Sequence, residues 1–157
     1  MLRAHAINAL VDIRSFPMSR RLPHFNRENL ERELPAAGTQ YVWLKELGGR
    51  RKRLVAESPN VALRNDSFRN YADYMLTSEF KTGVERLLEI AASGRVAIMC
   101  AERVYFRCHR MLVSDYLALH GHEVLHIDDE KPARPHTTMA EARLVDGQLL
   151  YCGDRLF

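Results

Sequence analysis

Apolar residues fall along this chain in short β-branched runs that alternate with stretches of helical spacing. Ala9 to Ile13, with Val11 and Ile13 inside it, has the pattern of a buried strand, and Asp12, Arg14 and Ser15 mark its exit. Pro17 and Pro23 then hold the chain in a loop. Asn26 has the character of an N-cap, Glu28 sits favourably in the first turn, and Leu30 and Leu34 share a face at i, i+4. Pro35 and Gly38 are expected to end that helix. Gln40 to Leu44 reads as a second strand, and Gly48 to Arg53 as a glycine-rich basic loop. The stretch onward to about Asp66 lacks periodicity. Phe68, Tyr71, Ala72 and Met75 mark a short amphipathic helix. Ser78 opens a longer one with Phe80, Val84, Leu87, Leu88 and Ala91 as its stripe and Gly94 as its stop. Val96 to Cys100 is a third strand, Cys108 to His120 an apolar helix closed by Gly121, and Glu123 to Ile127 a fourth strand. The tail carries a hairpin signal, Asp146-Gly147, between Arg143-Leu144-Val145 and Gln148-Leu149-Leu150-Tyr151.

That order predicts an α/β fold, with a mainly parallel sheet flanked by helices and a C-terminal β-hairpin. Right-handed crossovers bring the strand exits to one rim, where open α/β sheets bind ligands. Asp12, Arg14 and Ser15 leave one strand there, and Cys100 and Glu102 leave another. The two polar clusters are therefore expected to share a crevice.

Composition narrows the class. A chain of 157 residues, 46% hydrophobic and 27% charged, is expected to form one domain, residues 1–157, with a real core. A net charge of +3 permits nucleic acid without demanding it. Three cysteines, Cys100, Cys108 and Cys152, without scaffold spacing point to reduced thiols and a cytoplasmic setting. No apolar run is long enough for a membrane span, and Met1 to Ala6 has no signal-peptide core.

The chemistry concentrates between Val96 and Arg110, where a strand, a polar turn and a helix start carry Cys100, Glu102, Arg103, Arg107, Cys108, His109 and Arg110. The three arginines favour a thiolate nearby, so Cys100 is a candidate nucleophile, against the plainer reading of a small packed hydrophobe. The layout resembles the strand–loop–helix of cysteine phosphatases and sulfurtransferases. Their spacing of cysteine, five residues, then arginine fails, because position 106 is Phe and Arg107 follows it. Cys108, His109 and Arg110 stand where unpaired backbone N–H groups and the helix dipole would hold a phosphate or carboxylate. The alternative is that Cys108 and His109 only pack around the turn. Glu102 suits a general acid or base, or a salt bridge. Asp12 and Arg14 alternate along a strand and so face opposite ways unless the strand has ended.

Two further patterns compete. His122 and His126 share a strand face about 13 Å apart, too far for one ion, and no zinc spacing emerges. No metal or cofactor is expected. Arg50 to Arg53, with Arg20 and Arg21 near Phe25, could contact nucleic-acid phosphates, although a solvated basic loop is the commoner explanation.

Taken together, Val11-Asp12-Ile13-Arg14-Ser15-Phe16-Pro17, Ser19-Arg20, Phe25, Leu30, Tyr41, Leu44, Leu47-Gly48-Gly49, Cys100-Ala101-Glu102 and Cys108-His109-Arg110 resemble the bacterial family called domain of unknown function 488. The resemblance runs along nearly the whole chain. It implies an α/β fold and a shared polar pocket, and it implies no reaction. Members usually open with a strand ending in a Gly-His-Ser type turn and a helix before the Asp-Val-Arg-Ser strand. Met1-Leu2-Arg3-Ala4-His5-Ala6 resembles the end of that helix, so the chain is expected to be short by that first strand.

The leading expectation is an enzyme acting on an anionic, phosphorylated or nucleotide-like small molecule. Asp12, Arg14, Ser15, Arg20, Cys108 and Arg110 would bind it; Cys100, Glu102 and His109 would carry the chemistry. Two alternatives stay open: a non-catalytic nucleic-acid or nucleotide-binding module, and a protein-interaction domain whose polar cluster is structural. The oligomeric state is not legible.

Overall fold

A computed structural model describes residues 1–153. In chain order its elements are β1 (Ala9–Asp12), α1 (Arg27–Ala36), β2 (Gln40–Trp43), α2 (Asp66–Tyr74), α3 (Ser78–Ala92), β3 (Val96–Met99), α4 (Arg110–Leu119), β4 (Leu125–His126), β5 (Arg134–Pro135), β6 (Ala142–Val145) and β7 (Gln148–Tyr151). The fold is mixed α/β, and the chain divides into two compact units. One comprises Met1–Gly49 with Lys81–Ala101, the other Arg50–Phe80 with the chain from Glu102 onward.

The first unit holds a three-stranded parallel sheet in the order β2-β1-β3. Being central, β1 is buried at every position, with Val11 and Asp12 fully enclosed, whereas β3 at an edge is half-buried throughout. A strand paired on both sides and covered on both faces reads as an unbroken apolar run, which is what Ala9 to Val11 supplies. Leu30 of α1 and Val84 and Leu87 of α3 add to this core. At Gly83, a Cβ would come within 2.9 Å of Glu46 and 3.0 Å of Leu47, so only glycine lets α3 approach the turn at Lys45–Leu47 this closely.

In the second unit an aromatic cluster forms the centre. Phe80 stands edge-on to Tyr71, Tyr74 and Tyr116, with ring centroids 6.1, 6.0 and 5.1 Å away. Edge-to-face geometry of this kind stabilises beyond area burial. Asn60, fully buried, ties the loop before α2 to β7 and α2: its Oδ1 accepts the Tyr151 N–H at 2.9 Å, and its Nδ2 donates to Asp73 at 2.8 Å. The C-terminal hairpin β6–β7 forms as the Asp-Gly signal predicts, with φ of 49° at Asp146 and 78° at Gly147, both in the left-handed region that its tight turn requires.

Three local outcomes differ from the sequence reading. Glu123 to Ile127 does not add a fourth parallel strand; only Leu125–His126 pairs, antiparallel to Arg134–Pro135, in a sheet of its own. A short apolar run specifies a strand but not its partner. Helix α1 runs through Pro35 in its last turn, where the missing N–H does not break it. Asn26 occupies the N-cap position, yet its side chain accepts the Ser19 N–H at 2.6 Å instead of capping the helix.

Candidate functional site

In the first unit, the carboxyl edge of the sheet gathers Asp12, Arg14 and Cys100. The register pairs Asp12 with Met99, and the Ile13 N–H donates to the Met99 carbonyl at 2.9 Å. Cys100, half-buried and not in a disulfide, follows one residue later. Because β1 ends at Asp12, the chain is free to turn Arg14 back onto that carboxylate. Arg14 Nε lies 2.9 Å from Asp12 Oδ1 and 3.0 Å from Oδ2, and Nη2 lies 2.5 Å from Oδ2. Nη2 also donates to the Phe25 carbonyl at 2.8 Å, and Tyr41 Oη donates to Asp12 Oδ2 at 2.6 Å.

Burial pulls the Arg14 guanidinium down, but its hydrogen bonds to Asp12 and the charge there outweigh it and hold it above its ordinary value. Burial, then the hydrogen bond to Asp12 and its charge, push the Tyr41 phenol well above its usual range, so its proton stays on. Asp12, Arg14 and Tyr41 thus form a hydrogen-bonded clamp that reaches the Phe25 carbonyl in the loop after β1. Ser15 packs against Gly48, where a Cβ would come within 2.7 Å of its Oγ, and Arg20 is exposed.

The second unit builds a tighter turn at the start of α4. Arg110 Nε donates to the Cys108 sulfur at 3.2 Å, and the Arg110 N–H approaches the same sulfur at 3.4 Å. Nη2 donates to the carbonyls of Glu102 and, at 3.2 Å, Arg103. Glu102 therefore contributes its backbone to this turn, while its side chain is exposed. Nη1 of Arg110 has no hydrogen-bond partner among the described residues. His109 is buried at the N-cap position, 5.0 Å edge-on from Tyr71, and no side chain caps the helix. The Arg110 guanidinium is thus fixed by two carbonyls against a thiol at a helix start.

Behind that turn stands a polar chain that the spacing of residues does not announce. Asp115, fully buried on α4, has Oδ1 2.7 Å from His136 Nε2 and accepts the Met139 N–H at 3.1 Å; its Oδ2 accepts the Tyr151 hydroxyl at 2.9 Å. His136 Nδ1 lies 2.8 Å from His126 Nε2. The ring of Tyr105, carried by the loop that Arg110 holds, stacks on His126 at 3.4 Å and 8°. Burial, then the charges of His136 and Arg134, lower His126 to about 4. Burial and the Asp115 charge push the Tyr151 phenol far above its usual range, making it a permanent donor.

Sequence reasoning singled out His126 only as a metal candidate and passed over Asp115, His136, Tyr105 and Tyr151. One signal was present: an aspartate in the middle of an otherwise apolar helix needs a buried partner. The basic run is partly engaged, with Arg53 donating to the carbonyls of Val55 and Ala56 and Arg51 lying 3.6 Å over the Tyr74 ring. A hollow of about 620 Å³ in this unit has Arg53, Arg69, Asp66 and Asp73 on its walls, and its mixed charge selects neither sign of ligand.

Fold and site together describe a mixed α/β protein with thiol, guanidinium and imidazole groups concentrated on its loops. No helix among the described residues is long and apolar enough to cross a membrane. The chain belongs to the family described as domain of unknown function DUF488, whose model matches residues 1–117. The matched region includes Asp12, Arg14, Cys108, Arg110 and Asp115; His126 and His136 follow it. Neither the curated proteins nor the solved structures include a match to this chain.

Proposed function

We propose that this protein is an enzyme acting on an anionic small molecule, of phosphorylated or nucleotide-like kind, at the turn that opens α4. The carrying observation is Arg110. Two backbone carbonyls and the Cys108 sulfur fix its guanidinium, and Nη1 is left without a partner among the described residues. A cation held this way loses little side-chain entropy on binding a phosphate oxygen, which is what makes a preorganised anion site effective. The thiol it touches gains nucleophilic character from the same contact. On this reading Arg110 binds the anion, Cys108 lies beside the reacting group, and His109 helps shape the turn.

The nucleic-acid alternative draws less support, because Arg51 and Arg53 are occupied by contacts of their own. The test is calorimetric titration with inorganic phosphate, nucleoside mono- and triphosphates and a single-stranded oligonucleotide, against the wild type and Arg110→Gln. Losing one charged hydrogen bond to phosphate corresponds to about 1.5–3 kcal/mol, so affinity for the small anions should fall roughly 10- to 100-fold. Equal binding by both proteins refutes the assignment. Strong salt-sensitive binding of the oligonucleotide alone would favour the nucleic-acid module.

A further inference from the structure

We propose that Asp115, His136 and His126 form a proton relay whose working end is Nδ1 of His126, and that it serves the turn held by Arg110 as its acid–base device. The proposal rests on reading that turn as an anion site. Three observations carry it: the continuous hydrogen-bonded line, its burial, and the open nitrogen at its end. The links measure 2.7 Å from Asp115 to His136 and 2.8 Å from His136 to His126. The Asp115 side chain is fully enclosed, that of His136 is 1% exposed, and His126 keeps 9% exposure. Nδ1 of His126 makes no hydrogen bond among the described residues, and the flat stack of Tyr105 fixes the plane of its ring.

The proton arithmetic follows from the donors. A carboxylate accepts, so His136 presents Nε2–H to Asp115 and keeps its Nδ1 lone pair. That lone pair accepts from Nε2–H of His126, which leaves Nδ1 of His126 bare and basic. When Nδ1 takes a proton, the Nε2 proton of His126 moves to Nδ1 of His136. His126 ends neutral in its other tautomer, and the positive charge sits on His136 beside Asp115. Without the relay that charge would stay on His126, against Arg134 and Arg110, with only the exposed Asp128 to offset them. Those neighbours, after burial itself and together with His136, are what depress His126. The relay therefore turns a poorly basic position into a usable one by moving the charge to its partner.

The link to the anion turn is physical. Arg110 closes the loop from Glu102 that carries Tyr105, Tyr105 covers His126, and the charge of Arg110 acts on that ring. A histidine pair that only pinned β4 and β5 would show none of the tautomer exchange described above.

The experiment is nitrogen-15 NMR of the histidine rings in the full chain across a pH titration. The expected result is that, as the pair takes up its first proton, His126 stays neutral and switches from the Nε2–H to the Nδ1–H tautomer while His136 becomes charged. A His126 that itself becomes charged first, or that keeps one tautomer throughout, overturns the relay. Asp115→Asn should abolish the switch. Should that variant lose its fold, because Asp115 also receives Tyr151 and Met139, His136→Gln removes the Nδ1 link alone and must abolish it too. A switch surviving in a folded form of either variant overturns the proposal.

Inorganic phosphate then separates the two readings. Phosphate that moves the His126 Nδ1 resonance in the wild type but not in Arg110→Gln supports both. Phosphate bound through Arg110 with His126 unmoved removes the relay from the site and leaves the anion reading standing. Absence of phosphate binding overturns the anion reading and the relay's service to it; a persisting tautomer switch marks that failure as the site's rather than the relay's.

Discussion

Removing the carboxylate of Asp12 should destabilise the first unit far more than removing its whole ion pair. In Asp12→Ala the Arg14 guanidinium, only 6% exposed, loses every partner at Asp12 and keeps the Phe25 carbonyl and the neutral Tyr41 phenol, neither of which carries a charge to balance it. Stranding a buried charge in this way costs about 3–5 kcal/mol, a large share of a typical domain's total of about 5–15 kcal/mol. Tyr41→Phe deletes a single hydrogen bond to the charged oxygen, at 2.6 Å, and should cost about 1.5–3 kcal/mol. The double variant Asp12→Ala/Arg14→Met removes the stranded charge and should recover much of the loss, so the cycle is strongly non-additive. Trp43 is the chain's one tryptophan, and its Nε1–H donates to the Arg14 carbonyl at 2.9 Å. Its fluorescence during urea unfolding therefore reports on this unit locally, and midpoints compared at equal slope give the free energies. A loss below about 1 kcal/mol for Asp12→Ala, or a double variant as unstable as the sum of the two single ones, would refute the buried-clamp argument.

Two further outcomes follow from single residues. His126 takes its proton near 4 when folded, against 6.5 when unprotected, because of burial and then the charges of His136, Arg134 and Arg110. The unfolded chain binds more protons in that interval. Stability present above pH 6.5 is therefore lost as pH falls toward 4, by on the order of 2–3 kcal/mol, and His126→Gln should flatten this limb in urea midpoints measured against pH. An unchanged acid limb in that variant would contradict the assignment. Asn65 caps α2 by accepting the Phe68 N–H at 3.1 Å, and Asn65→Ala should cost about 1 kcal/mol in thermal unfolding followed by circular dichroism. No measurable shift would show that the cap is idle.

Legibility differed by element for physical reasons. The strands β1, β2 and β3 were readable from β-branched runs closed by polar residues, because burial on both faces leaves a local compositional trace. The Asp146-Gly147 turn was readable because few residues tolerate two successive positive φ angles. The fate of Glu123 to Ile127 was not, since a hydrogen-bonding edge accepts either direction of partner and the choice falls to Arg134–Pro135. Arg14 illustrates the same limit. Its alternation with Asp12 suggested opposite faces, and only the end of the strand at Asp12 let the guanidinium fold back.

By itself the sequence determined the α/β class, the parallel strands of the first unit, the terminal hairpin, and the family to which the chain belongs. These follow from periodicity, turn chemistry and motifs that neighbouring residues write into the chain. Tertiary structure alone decided that Asp12 and Arg14 satisfy each other, that Arg110 braces Cys108, and that Asp115, His136 and His126 align. Hydrogen bonds of 2.5 to 3.2 Å depend on the backbone path the fold imposes, whether the partners stand two positions apart, as in the Asp12–Arg14 and Cys108–Arg110 pairs, or 10 and 21 apart, as along the histidine line. Asp115 and His136 stand 21 positions apart, and the chain between them carries no periodic mark of their meeting.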